Sequence, residues 1–153
     1  MPELPEVEVL VRHLAPLIKK RTITDVEVRR TRVIAPTSEL ELKDSLQGAK
    51  FIDLTRRGKY LLFSIKSPRS KDTVILLGHL GMTGRMYLLP KSVPLPKHAA
   101  VVLGLGREKF VFEDTRYFGR FTLDIRSLEG LGPEPLSPDF TLEYFNQAFD
   151  ATH

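Results

Sequence analysis

Apolar residues recur at spacings of three and four through Val7, Leu10, Val11, Leu14, Leu17 and Ile18, which predicts an amphipathic helix near the start of the chain. Pro5 suits its first turn, where no N–H is needed. Pro16 removes the bond to the Arg12 carbonyl and predicts a bend or an early end near residues 12–16. Beyond it the period shortens to two, in pieces: Val26 with Val28, Phe51 to Leu54, Tyr60 to Ile65 and Thr73 to Leu77, then Arg85 to Leu89, Ala99 to Leu105, Lys109 to Glu113 and Arg120 to Ile125. About eight short strands separated by turn residues predict a mainly β fold with terminal helices. The expected architecture is a two-layer antiparallel β-sandwich, or flattened barrel, preceded by an N-terminal α-helix. Pro90, Pro94 and Pro96, with Lys91 and Lys97, form a basic loop expected to stay out of the ladder. Gly130 to Pro138 has the composition of a connection between domains, and Leu142, Phe145 and Phe149 after it share a helical face with little to cover it. Residues 1–130 are therefore expected to form one domain, and residues 131–153 a linker and the first helix of a further one.

Composition narrows the classes. The 153 residues include no Cys, which removes disulfides, thiolate catalysis and thiolate zinc sites together. No apolar run approaches the length of a membrane span, since the richest window, Val74 to Leu80, is interrupted by Gly78 and His79. The acidic start lacks a signal core, so a cytoplasmic protein without a membrane partner is expected. A net charge of +4 permits a polyanionic partner without demonstrating one.

The unusual passage is Met1-Pro2-Glu3-Leu4-Pro5-Glu6-Val7-Glu8. Removal of Met1 leaves Pro2 with a free secondary amine. Amines at a chain start have pKa values of about 8, so a usable fraction is neutral and can attack a sugar or carbonyl carbon to give an iminium. With Met1 retained, that nitrogen is a tertiary amide and the chemistry is closed. Glu3 stands beside the amine as proton donor or acceptor. Taken alone, Glu6 and Glu8 need be no more than acids at the positive end of a helix dipole.

These residues resemble the N-terminal signature of the formamidopyrimidine-DNA glycosylase family, and further segments follow in that family's order. Arg57-Gly-Lys-Tyr-Leu-Leu62 resembles its lysine-bearing strand, His79-Leu-Gly-Met-Thr-Gly84 its methionine turn, and Lys97-His98 its basic loop. Asp114-Thr-Arg-Tyr-Phe-Gly119 resembles its arginine and phenylalanine loop, and Leu131-Gly-Pro-Glu-Pro-Leu136 the link out of its first domain. Several collinear matches are far more specific than any one of them.

The resemblance implies a base-excision repair enzyme for oxidised purines, with glycosylase and abasic-site lyase activities, acting on damaged double-stranded DNA as a monomer. It assigns Pro2 as nucleophile, Glu3 as proton donor and shuttle, Lys59 as a lysine assisting elimination, and Glu6 as a supporting carboxylate. Met82, Arg116 and Phe118 match the residues that fill the hole left by the extruded nucleotide, and His98 a histidine that contacts phosphate. His79 is expected to pack, and His13 and His153 to lie at the surface. Two positions depart from the pattern: Ala100 replaces a second histidine and Tyr117 a second arginine, each deleting a potential phosphate contact. The resemblance places a helix-two-turn-helix segment and a four-cysteine zinc finger after residue 153, so these residues alone are expected to bind duplex DNA weakly and to be inactive by themselves, and neither zinc nor another cofactor is assigned to them. Two other readings fit less well: an endonuclease VIII-type glycosylase for oxidised pyrimidines, disfavoured by Leu4, Val7 and the Met82, Arg116, Phe118 trio, and a non-catalytic nucleic-acid-binding sandwich.

Overall fold

The computed structural model describes residues 4–68 and 72–129. Helix α1 (Leu4–Ile18) is followed by β1 (Asp25–Val28), a 3-10 turn (Thr31–Val33) and α2 (Glu39–Leu46). Seven strands come next: β2 (Lys50–Arg57), β3 (Tyr60–Lys66), β4 (Thr73–His79), β5 (Gly84–Pro90), β6 (Ala99–Gly104), β7 (Glu108–Asp114) and β8 (Arg120–Thr122). The described chain closes with α3 (Arg126–Glu129). Two four-stranded sheets form, in the orders β1-β6-β7-β5 and β2-β3-β4-β8, and every pairing is antiparallel. This is the expected mainly β sandwich behind an N-terminal helix. Among the described residues no helix is long and apolar enough to cross a membrane. The connection and helix expected over 131–153 lie outside the described residues.

Five phenylalanines, Phe51, Phe63, Phe110, Phe112 and Phe121, are fully buried between the sheets. Phe63, Phe110 and Phe121 each meet three of the others, and the Phe63 ring centroid lies 6.0, 5.8 and 5.6 Å from those of Phe51, Phe110 and Phe121. Strand β3 reads as a nearly continuous apolar run because both its faces are covered. Leu61, Phe63 and Ile65 point into the inter-sheet core, while Leu62 joins Ile75, Leu77 and Leu128 in a second cluster beneath α3.

Three expectations require correction. Helices are not confined to the ends: α2 lies between β1 and β2, opened by a capping box in which the Glu41 N–H donates to Ser38 Oγ at 3.1 Å and the Ser38 N–H donates to Glu41 Oε1 at 3.3 Å. Its apolar signal is weak because only Leu42 and Leu46 of its eight residues are buried. Helix α1 runs through Pro16 to Ile18, and Pro16 and its neighbour Leu17 lie on the exposed face, so water can meet a carbonyl left without a partner. Pro90 does join a ladder, opposite Glu108 at the end of β5. That strand is a sheet edge, where a missing N–H costs no bond.

Candidate nucleic-acid interface

Tyr60, His79 and Arg120 stand opposite one another on β3, β4 and β8, forming one row across the end of a sheet. Three loops leave the sandwich beside this row. The first is the two-residue turn between β2 and β3, where Gly58 adopts φ 58° and Lys59 is exposed. A glycine in the left-handed region at the first position is what a type II′ hairpin requires. The second turn, Gly81–Thr83, follows β4, and the third loop, Thr115–Gly119, follows β7.

The second and third loops touch. A Cβ on Gly81 (φ 60°) would stand 2.8 Å from the Gly119 nitrogen, so only glycine permits this approach. Met82 is 51% and Phe118 47% exposed, which removes both from the core, and Arg116 Nη1 lies 3.8 Å from Met82 Sδ. Met82, Arg116 and Phe118 thus share one tip. His98 is half-buried beside it, with Nδ1 3.3 Å from the Tyr117 hydroxyl.

Beneath the tip, Asp114 is completely buried. Its carboxylate accepts from Thr83 Oγ1 at 2.5 Å, from the Arg116 N–H at 3.1 Å and from the Gly119 N–H at 2.7 Å. Hydrogen bonds to a charged acceptor contribute about 1.5–3 kcal/mol each, which offsets the desolvation of the carboxylate. Tyr117 takes a left-handed φ of 56° within this loop. Where the resemblance leads one to expect a second arginine, the guanidinium of Arg30 lies 5.1 Å over the Tyr117 ring, and that of Arg32 lies 5.2 Å over Phe118. Arg120 Nη1 donates to the Gly119 carbonyl at 2.8 Å. Four arginines therefore surround two aromatic rings and a thioether. Arg30, Arg32 and Asp114 did not emerge from the sequence as site residues; the dense Arg29-Arg30-Thr31-Arg32 run was the available signal, but only folding brings it against Tyr117 and Phe118.

An open cleft of about 350 Å³ adjoins the tip, lined by Tyr60, His79, Phe118, Arg120, Pro36 and Asp124 among others. His79 does pack, with its ring 5.1 Å from Tyr60. Burial, then the charges of Lys59 and Arg120, hold its pKa below the usual 6.5. The Gly81 N–H donates to His79 Nδ1 at 3.0 Å, an acceptance that only the neutral ring can make. Because the folded pKa is the lower one, the unfolded chain takes up the proton first as pH falls. Stability is expected to decline as pH drops below 6.5, and His79→Gln to flatten that decline in urea midpoints measured from pH 8 to 5.

Pro2 and Glu3 lie outside the described residues, immediately before α1, and Glu6 is exposed in the helix's first turn. Two residues further, Glu8 anchors the helix. Arg56 Nε donates to Glu8 Oε2 at 2.6 Å, and Arg56 Nη1 donates to the Gly58 carbonyl at 3.1 Å. The hydrogen bond from Arg56 is the main reason that the Glu8 carboxyl sits below its usual 4.5. The helix that Pro2 and Glu3 precede is thereby tied to the hairpin that carries Lys59.

Gly119 tests how tightly this end is built. A Cβ there would lie 2.6 Å from Phe112 Cζ, 2.7 Å from the His79 carbonyl and 3.0 Å from Asp114 Oδ2. Gly119→Ala is expected to cost about 1–3 kcal/mol in urea unfolding, as overpacking does.

The arrangement defines a class: a two-sheet sandwich whose cationic, aromatic edge adjoins a lysine hairpin and the entry of the N-terminal helix. Residues 1–121 match the family model described as the formamidopyrimidine-DNA glycosylase N-terminal domain, and the chain belongs to the formamidopyrimidine-DNA glycosylase family. It is 41% identical over 152 residues to the formamidopyrimidine-DNA glycosylase of Carboxydothermus hydrogenoformans, covering 99% of this chain and 55% of the relative. The Symbiobacterium thermophilum protein of that name is also 41% identical, covering 100% and 51%. The chain thus spans about half the length of these relatives. A solved structure of the Lactococcus lactis protein with DNA containing N7-benzyl-Fapy-dG superposes with a TM-score of 0.72 at 33% identity, covering 79% of this chain and 43% of that one. The chain has no cysteine, so its residues do not fit the four-cysteine zinc site that the resemblance associates with the family.

Proposed function

We propose that the chain carries the chemistry of a bifunctional DNA glycosylase and abasic-site lyase that excises oxidised purines from duplex DNA. The Pro2 amine attacks the anomeric carbon, the glycosidic bond breaks, and the base leaves with a proton supplied by Glu3. The sugar ring then opens as the C1′–O4′ bond breaks, the proton lost by the bonded amine passing through Glu3 to O4′, and the resulting iminium draws electrons from the sugar and acidifies the proton on the next carbon. Loss of that proton expels the 3′ phosphate, a second elimination expels the 5′ phosphate, and water releases the amine. Lys59 steadies the phosphates near the sugar during these eliminations, and Glu6 supports the turn that holds Pro2 and Glu3.

Extruding the nucleotide costs a few kcal/mol of lost stacking and leaves a hole. In this reading Phe118 wedges the step, Met82 fills the hole and Arg116 meets the orphaned base. His98 holds a backbone phosphate, and Arg30 and Arg32 add cationic charge beside it. The observation that carries the reading is the meeting of Met82, Arg116 and Phe118 at one exposed tip in a member of this family.

The test is borohydride trapping. Full-length protein that carries these residues and is freed of Met1, incubated with a duplex containing an oxidised guanine, is expected to give a covalent protein–DNA adduct. A duplex that is bound without any adduct would leave the non-catalytic binding sandwich as the better description. Preferential trapping on an oxidised pyrimidine would favour the endonuclease VIII type.

A further inference from the structure

We propose that Asp114 is a positioning residue that couples the methionine turn to the arginine–phenylalanine loop, so that both enter the DNA as one rigid probe; this rests on the function proposed above. Its carboxylate binds Thr83, next to Met82, through Oδ1, and Gly119, next to Phe118, through Oδ2. Oδ1 also takes the backbone N–H of Arg116 itself. Its own N–H donates to the carbonyl of His98 at 3.0 Å. All four residues assigned to DNA contact are thus held, directly or through a chain neighbour, by one fully buried aspartate. The backbone leaves no slack between the two loops, since Gly81 and Gly119 are already in contact. A wedge has to hold its shape while the stack is opened, and a loop free to yield would relax instead of extruding the nucleotide.

Two substitutions isolate this role. Thr83→Val keeps the shape of the side chain and removes only the donor joining the two turns. Asp114→Asn turns an amide N–H toward one set of donors, leaving either Thr83 and Arg116 or Gly119 without its acceptor. Trapping is measured on two probes: a duplex containing an oxidised guanine, which has to be opened, and a single-stranded abasic oligonucleotide, which has no stack to open.

Both variants are expected to slow adduct formation on the duplex by about tenfold or more while staying within about twofold on the single strand, and Thr83→Ser is expected to restore the duplex rate. Rates that fall together on both probes, or on neither, would overturn the positioning role. Parent protein that traps neither probe would instead overturn the proposed function itself. Melting curves identify an unfolded Asp114→Asn protein, in which case Thr83→Val decides the outcome.

Discussion

Protein that retains Met1 is expected to form no borohydride-stable adduct with a lesion-bearing duplex, while the same sample freed of Met1 forms one. In the retained form the Pro2 nitrogen belongs to a peptide bond, where its electron pair is shared with the carbonyl. An amide with no basic pair and no proton to lose cannot become an iminium. Freed, the nitrogen is a secondary amine with a pKa of about 8, and roughly a tenth or more is neutral at pH 7. The expected loss of adduct is total within detection, on the order of 100-fold or more, because the change removes the nucleophile and not merely its efficiency. Binding to the duplex is expected to stay within about threefold, since the phosphate contacts proposed for His98 and Lys59 and the base contact proposed for Arg116 lie elsewhere in the chain. Glu3→Gln separates the proton from the nucleophile: the duplex is still bound, and fewer adducts form. An efficient adduct from protein whose intact mass includes Met1 would overturn the assignment of Pro2.

The second large effect is on stability, and it divides two phenylalanines that look alike in the sequence. Phe63→Ala is expected to destabilise the protein by about 3–5 kcal/mol, the cost of emptying a ring-sized space in a packed core. Phe63 is fully buried and meets Phe51 and Phe121 of its own sheet and Phe110 of the facing one, so no single neighbour can move in to fill the space. At roughly 2–4 °C per kcal/mol for a chain of this size, the melting temperature falls by about 6–20 °C. Phe118→Ala, at a position 47% exposed, is expected to shift the melting temperature by no more than a couple of degrees, at about 0.5 kcal/mol for a surface substitution. Trapping on the lesion duplex instead falls sharply, because the wedge is gone. A calorimetric scan and a trapping assay on each variant check both halves. Equal destabilisation by the two substitutions would place Phe118 in the core.

The sandwich was legible because alternation of apolar and polar residues reports a strand half-buried in a sheet. It failed where little is buried and where the place of a strand in its sheet matters. Helix α2 was missed because only Leu42 and Leu46 enter the core, although Ser38 and Glu41 already had the spacing of a capping box. Pro90 was excluded from the ladder because sequence does not reveal which strands are edges. Leu17 falls in the apolar spacing of α1 yet is 42% exposed, since the covered stripe is narrower than the apolar one.

By itself the sequence determined the helix at the start, the run of short strands, the family resemblance, and the residue types available for the chemistry, because those follow from local periodicity and from motifs contiguous in the chain. Tertiary structure alone decided that Met82 and Phe118, 36 positions apart, meet at one tip, that Arg30 and Arg32 stack on its aromatic rings, and that Asp114 lies beneath it. The physical reason is register: the row Tyr60, His79, Arg120 is fixed by hydrogen bonds between strands distant in sequence, and the loops that leave that row inherit their places from it.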